Sequence, residues 1–376
     1  MYILLETNTS EAKEFLFSYI NFTSLVLFLV VVFFTFFGIK MLGKNITILT
    51  LKKSEKIKFI LLLCSILLFL KVTKLVVFNA PYLAVKIPII YFQEIQKFNN
   101  YGKENAIENF SAVKRIGNNA EKELYIIVIG ESTSRLHFQL SSEYYRETTP
   151  LLNEIKNEIV VFKNVISPHA YTIGSLTKVL TLANAENPEG KYQGSIIQLL
   201  NQAQFKTYWV SNQRPIGVSE TQVTKIARGA DKTIFLNLKH TSENTPFDKE
   251  LITELNKIVL EEGDKKVIFL HMMGAHINYE KRYPSNLEHF TDKPITKFKG
   301  SKVYKTINTY DNVMMYTDYI LREIIETVRA QDAESYVLYF SDHGQEVYDE
   351  IDFFGQTIDQ KITIDMYEIP MFLWMS

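Results

Sequence analysis

The chain is almost without cysteine. Its single thiol, Cys64, lies in an apolar run, which leaves no disulfide framework and no CxxC metal site. Net charge is nearly absent too: 41 Lys and Arg stand against 42 Asp and Glu, a formal −1. The basic excess that marks a nucleic-acid-binding chain is therefore missing, and no nucleic-acid partner is expected. No internal repeat is apparent. What the sequence has in quantity is apolar side chains, 47% of 376 residues, enough to bury a sizeable core in two or three structural units.

An absence also defines the start of the chain. Residues 16–39 hold 24 positions without a charge, dominated by Leu, Val and Phe. At ~1.5 Å rise per residue a helix of that length crosses the ~30 Å hydrocarbon layer. No A-x-A-like site closes the run, and Glu6, Glu11 and Glu14 precede it against Lys13 alone, which argues against a cleaved signal peptide. A second apolar stretch, 59–78, is expected to span as well, with Lys71 and Lys74 snorkelling to the far interface.

The loop between the two stretches carries Lys40, Lys44, Lys52, Lys53, Lys56 and Lys58 against Glu55. By the positive-inside bias this loop is cytoplasmic, and everything after residue 78 is outside. Residues 81–98 suit either the headgroup region or a helix packed on the soluble part. Residues 99–122, polar and Asn-rich, read as a linker. The expected organisation is a membrane anchor over 1–98, the linker, and an extracytoplasmic domain over 123–376.

That last domain alternates apolar runs with amphipathic segments. Strands are expected at 125–129, 160–162, 207–210, 267–271 and 336–341. Helices are expected at 194–203 and 249–260, and a third is marked by the stripe Val313, Tyr316, Ile320, Ile324 and Val328. The alternation predicts an α/β fold with a mainly parallel sheet covered on both faces. In such sheets the chemistry lies just beyond the carboxyl ends of the strands.

Four strand ends carry side chains suited to chemistry. The first gives Glu131, the second leads into SPHAYTIGSL with Thr172, the fourth gives His271 and His276, and the last gives Asp342 and His343. Two carboxylates, an imidazole and a hydroxyl form a ligand set for zinc or manganese. Coordination would make the Thr172 hydroxyl a nucleophile for phosphoryl or sulfuryl transfer. Each residue alone has a plainer reading: Thr172 as N-cap of a helix beginning near Ser175, His271 as a hydrogen-bonded core histidine, and the Asp-His-Gly turn as a cap for the next helix.

Taken together, GESTSR from Gly130, RETTPLL from Arg146, SPHAYTIGSLTKVLTLAN, MGAH with KRYP after it, and SDHGQEVYD resemble the lipopolysaccharide phosphoethanolamine transferases. These are membrane-anchored members of the alkaline phosphatase and sulfatase superfamily, and the resemblance covers about 78–376. It implies an alkaline-phosphatase-like sheet flanked by helices and preceded by an α-helical transmembrane anchor. It implies a bacterial inner-membrane protein with its catalytic domain in the periplasm, and one zinc held by Glu131, Thr172, Asp342 and His343. It further implies that Thr172 attacks phosphatidylethanolamine, and that the phosphoethanolamine group then passes to lipid A or the lipopolysaccharide core. His276 would contact the phosphate, donate a proton or ligate a second metal, and His169 and His271 are further candidates for the substrate.

The sequence departs from the family pattern at three places. Gln356 stands where relatives often have a histidine; it suits a phosphate better than a metal, which puts a second metal site in question. Two spans are found where relatives commonly have about five. The chain stops at the strand-like MFLWMS, which is expected to mark an edge strand or a truncated C-terminus. A sulfatase would need a C/S-x-P-x-R nucleophile motif, absent around Thr172. A phosphodiesterase or glycerophosphate transferase of the superfamily, and an inactive membrane scaffold, stand as the alternatives.

Overall fold

The computed structural model describes residues 22–43 and 121–376 apart from 216–220, 238–244 and 357–360, with scattered residues between 54 and 113. The chain divides into two compact units, Met1–Gln96 and Lys97–Ser376. In the first, α1 (Phe22–Gly43) is 22 residues long, and its sequence carries one charge, Lys40 in the last turn. Its described side chains, among them Leu29, Phe33, Phe34 and Phe36, are exposed. Counted on the described side chains alone, no helix is long and apolar enough to cross a membrane. The backbone of α1 nonetheless follows most of the expected 16–39 span. Residues 16–21 and nearly all of 59–78 and 81–98 lie outside the described residues.

The second unit is built on β1 (Glu123–Gly130), β2 (Ile159–Phe162), β3 (Lys206–Ser211), β4 (Lys232–Phe235), β5 (Lys265–His271), β6 (Glu334–Ser341) and β9 (Met371–Met375). Their order across the sheet is β2-β9-β6-β1-β5-β3-β4. The run β6-β1-β5-β3-β4 is parallel throughout, and β9 is antiparallel to both β6 and β2. A small hairpin, β7 (Glu346–Val347) with β8 (Phe354–Gly355), follows β6. All five expected strands are present. The chain's last apolar run is not an edge strand, since β9 is inserted between β6 and β2.

β1 is central because its sequence suits burial on both faces. Ile126 and Val128 enter one core with α2 (Pro150–Glu154), α6 (Lys249–Val259) and α7 (Ser301–Arg329). Ile129 enters the opposite core with α3 (Thr172–Val179), α4 (Ile196–Gln202) and α5 (Gln222–Ala227). Each such side chain contributes about 1.5–3 kcal/mol by leaving water. The α7 stripe is buried as its spacing predicts, from Val313 through Val328. α4 begins on a capping box in which Ser195 and Gln198 satisfy each other's backbone amides.

Glycine ends β1 for a steric reason. A Cβ at residue 130 would lie 2.6 Å from the Tyr339 hydroxyl of β6. A side chain there would have to displace the buried Tyr339 ring.

Candidate metal centre

The parallel register sets Gly130 beside Ser341, so the next residues along each chain, Glu131 and Asp342, emerge side by side at the carboxyl edge. The Asp342 amide still bonds the Gly130 carbonyl at 3.1 Å, carrying the ladder one step past the strand. His343 comes next. Ligand atoms of Glu131, Asp342 and His343 all lie within 4.8 Å of one another, and all three residues are buried. Helix α3 brings the fourth group, with Thr172 Oγ1 donating to Glu131 Oε2 at 3.1 Å. Thr172 is the first residue of α3, and the cap position is Tyr171. The plainer N-cap reading of Thr172 therefore fails.

Backbone and side-chain donors aim the free atoms. Asp342 Oδ1 accepts from the amides of Ser132 at 3.0 Å and His343 at 2.8 Å, whereas its Oδ2 is buried without a hydrogen-bond partner. His343 Nδ1 donates to the Gly344 carbonyl at 2.8 Å, which turns Nε2 inward. Nε2 is also buried without a hydrogen-bond partner, 3.4 Å from both Glu131 Oε1 and Asp342 Oδ2. Buried polar atoms are ordinarily paired. Two that converge on one point with a second carboxylate have the geometry of metal ligands.

The electrostatics agree. Burial and the charge of Glu131 push the Asp342 carboxyl up to about 7. Burial acts against a charged His343, but Asp342 and Glu131 raise it to about 9. Burial would raise Glu131 as well, yet the His343 ring 3.4 Å away, the charge of His276 and the Ser132 hydroxyl hold it well below the usual range. Two carboxylates thus compete for one positive charge. A divalent cation would supply it and displace the second imidazole proton. Three O and N donors with a hydroxyl beside them, and no sulfur, suit zinc.

The remaining expected residues separate. His276 is near enough for its charge to act on Glu131, and its Nδ1 is buried without a hydrogen-bond partner. His271 ends β5, Nδ1 3.2 Å from Ser211 Oγ and the ring edge-on to Trp209, and burial pushes it down to about 4. Nδ1 fits the reading of a hydrogen-bonded core histidine, whereas Nε2 is buried without a hydrogen-bond partner. His169 is half-buried against Tyr171, lowered by burial and by Lys178. Gln356 is exposed after β8, beyond any contact described with the triad. Ser132 and Thr133 serve Glu131 from its own loop, through a 2.7 Å bond to Oε1 and a 3.3 Å bond to its carbonyl.

One neighbour is absent from the sequence-based set. Gln213 Nε2 donates to Glu131 Oε2 at 2.8 Å and to the Met272 carbonyl at 3.0 Å. It follows β3, and the rule that selected Glu131 and Asp342 applies to its strand end equally. Its amide carried no metal-ligand chemistry to attract notice.

The sulfatase family model matches residues 123–376. Phosphoethanolamine transferase EptC of Escherichia coli K12 is 30% identical over 402 residues, spanning 100% of this chain and 69% of that protein. The C-terminal periplasmic domain of Escherichia coli EptC, solved in complex with Zn, superposes with a TM-score of 0.66 at 33% identity, over 70% of this chain and 75% of that one. The integral membrane lipooligosaccharide phosphoethanolamine transferase A of Neisseria meningitidis shares the fold over 100% of this chain and 71% of its own, at TM-score 0.69 and 21% identity.

Proposed function

This chain belongs to the sulfatase family, and from that premise we propose that it is a membrane-anchored, zinc-dependent phosphoethanolamine transferase acting on lipopolysaccharide. The carrying observation is the convergence of Asp342 Oδ2 and His343 Nε2, both buried and without hydrogen-bond partners, on Glu131 beside the Thr172 hydroxyl. Glu131, Asp342, His343 and Thr172 would hold one zinc. When bound, zinc lowers the pKa of a coordinated hydroxyl and polarises a phosphoryl oxygen.

The chain's own residues divide the rest of the work. Thr172 Oγ1 attacks the phosphorus of phosphatidylethanolamine, forming one P–O bond as the bond to the diacylglycerol oxygen breaks. His276 gives the leaving oxygen its proton, and the Thr172 proton passes to Glu131 Oε2 or solvent. In the second half an oxygen of lipid A or the core attacks the same phosphorus and gives its proton to His276, as the bond from phosphorus to Thr172 Oγ1 breaks and Thr172 recovers its proton from Glu131 Oε2 or solvent. Gln213 keeps Glu131 Oε2 in place throughout. The donor is a membrane lipid, which fits the charge-poor α1 as one span of an inner-membrane anchor and a catalytic domain in the periplasm.

Incubation of the purified chain with phosphatidylethanolamine vesicles tests this directly. A phosphoethanolamine adduct on the peptide carrying Thr172, absent from Thr172→Ala, is expected. An adduct on another residue, or the same adduct in the variant, refutes the assignment. Transfer to added lipopolysaccharide, read as one phosphoethanolamine of mass, identifies the acceptor.

A further inference from the structure

Asp248 stands at the N-cap of α6, where an aspartate ordinarily accepts from the first free amides of its own helix. It makes no such bond. Its carboxylate is turned instead to the loop after β5. Oδ1 accepts from the Met273 amide at 2.8 Å and from Asn212 Nδ2 at 2.9 Å, and Oδ2 accepts from the Gly274 amide at 2.9 Å. Asp248 is buried, and burial pushes its carboxyl up against the pull of Asn212, the two loop amides and the charge of Arg282. A buried carboxylate that forgoes its own helix is serving something else.

What it serves is pressed onto a metal ligand. The Met272 amide bonds the Ile129 carbonyl at 2.9 Å, and the Ala275 amide bonds the Glu131 carbonyl at 3.0 Å. At its far end the loop is gripped again. Buried Arg282 donates from Nε to the His276 carbonyl at 2.9 Å and from Nη2 to the Ile277 carbonyl at 2.5 Å.

We propose that Asp248 and Arg282 are positioning residues which clamp the two ends of the 272–277 loop, and so fix His276 over the metal ligands. The anion takes the amides at the start of the loop and the cation takes the carbonyls at its end. The proposal rests on the transfer reading for its kinetic part. A geometric displacement of about 1 Å at a reacting group costs up to about 100-fold in rate, so loosening either end is expected to appear in turnover.

The test uses the full chain in lipid vesicles, loaded with zinc. Asp248→Ser keeps a residue able to cap α6 but cannot span two loop amides. Its peptide covering 271–277 is expected to exchange amide hydrogen at least about tenfold faster, with 249–259 unchanged; kcat is expected to fall at least about tenfold, with the KM for the lipid donor and the zinc content near wild type. Faster exchange in 249–259 alone, or a loop and kcat at wild-type values, overturns the proposal. Should that variant not accumulate, Arg282→Lys decides on the same readouts. One ammonium in place of the guanidinium fork is expected to loosen 275–277, and unchanged exchange and turnover there overturn the clamp. If the wild-type chain transfers no phosphoethanolamine, the functional reading fails, while the exchange measurement still judges the clamp.

Discussion

Replacing Gly274 by alanine probes the packing of the site without replacing a proposed ligand. Gly274 has φ +47°, and a Cβ there would stand 2.8 Å from the Glu131 carbonyl oxygen, 2.9 Å from its amide nitrogen and 3.1 Å from its Cβ. The left-handed conformation costs a residue with a Cβ about 1–2 kcal/mol. Overpacking adds about 1–3 kcal/mol, and backbone atoms cannot swing aside as a side chain would. A total of about 3 kcal/mol lowers the melting midpoint by about 6–12 °C in a domain of this size.

The second consequence is local. Relief of the contact has to move the loop and Glu131 apart, so zinc affinity is expected to weaken by about 10–100-fold, as when groups supporting a metal ligand are disturbed. Calorimetric zinc titration and thermal unfolding of the same sample give both numbers. Ile324→Ala on α7, fully buried in the core that β1 shares with α2, α6 and α7, is a matched control. It is expected to cost about 2–5 kcal/mol with zinc affinity unchanged. Gly274→Ala that melts and binds zinc as wild type does would refute the packing argument. Equal loss of zinc affinity in the control would refute its locality.

The same geometry carries other expectations. Asp342→Ala should abolish tight zinc binding, read as metal content after dialysis, because it removes one converging donor and leaves Glu131 and His343 mismatched. Gln213→Ala should retain zinc but lower kcat about tenfold or more, since the released Glu131 Oε2 shifts beside Thr172. His137, buried between Asp311 at 2.6 Å and Asp349 at 3.2 Å, is raised to about 10 because the two carboxylates outweigh its burial. With a folded pKa above the unfolded value of about 6.5, its stabilisation is complete below pH 6.5 and is lost as pH climbs toward 10. His137→Gln should cost about 3–5 kcal/mol at pH 6.5 and flatten the decline in melting midpoint between pH 6.5 and 9, measured by circular dichroism.

The sequence was most legible where burial leaves a pattern. β1 and β6 are apolar runs closed by Gly130 and Ser341, and α7 shows its stripe, so strand ends and ligand candidates could be named together. β4 was missed because KTIF is four residues long and only partly buried. α2 and α5 were missed because five and six residues give too few turns for a period. The position of β9 was hidden for another reason: MFLWM announces a strand, but nothing local states which neighbours it joins. Asp248 was invisible for the opposite cause. Its place before a helix offered a sufficient local explanation, and only the tertiary contacts show that its carboxylate points elsewhere.

The adjacency of β1 and β6 also sets a timetable. Ser132 and Asp342, bonded at 3.0 Å, are 210 residues apart in sequence. Closing a loop of that length costs about 5 kcal/mol of chain entropy before any contact repays it. A chain emerging from its N-terminus has β1 without either sheet neighbour until β5 appears, and without the partner bearing two ligands until β6 has emerged. The proposed metal site is therefore incomplete until β6 has paired with β1, however early the rest of the sheet assembles.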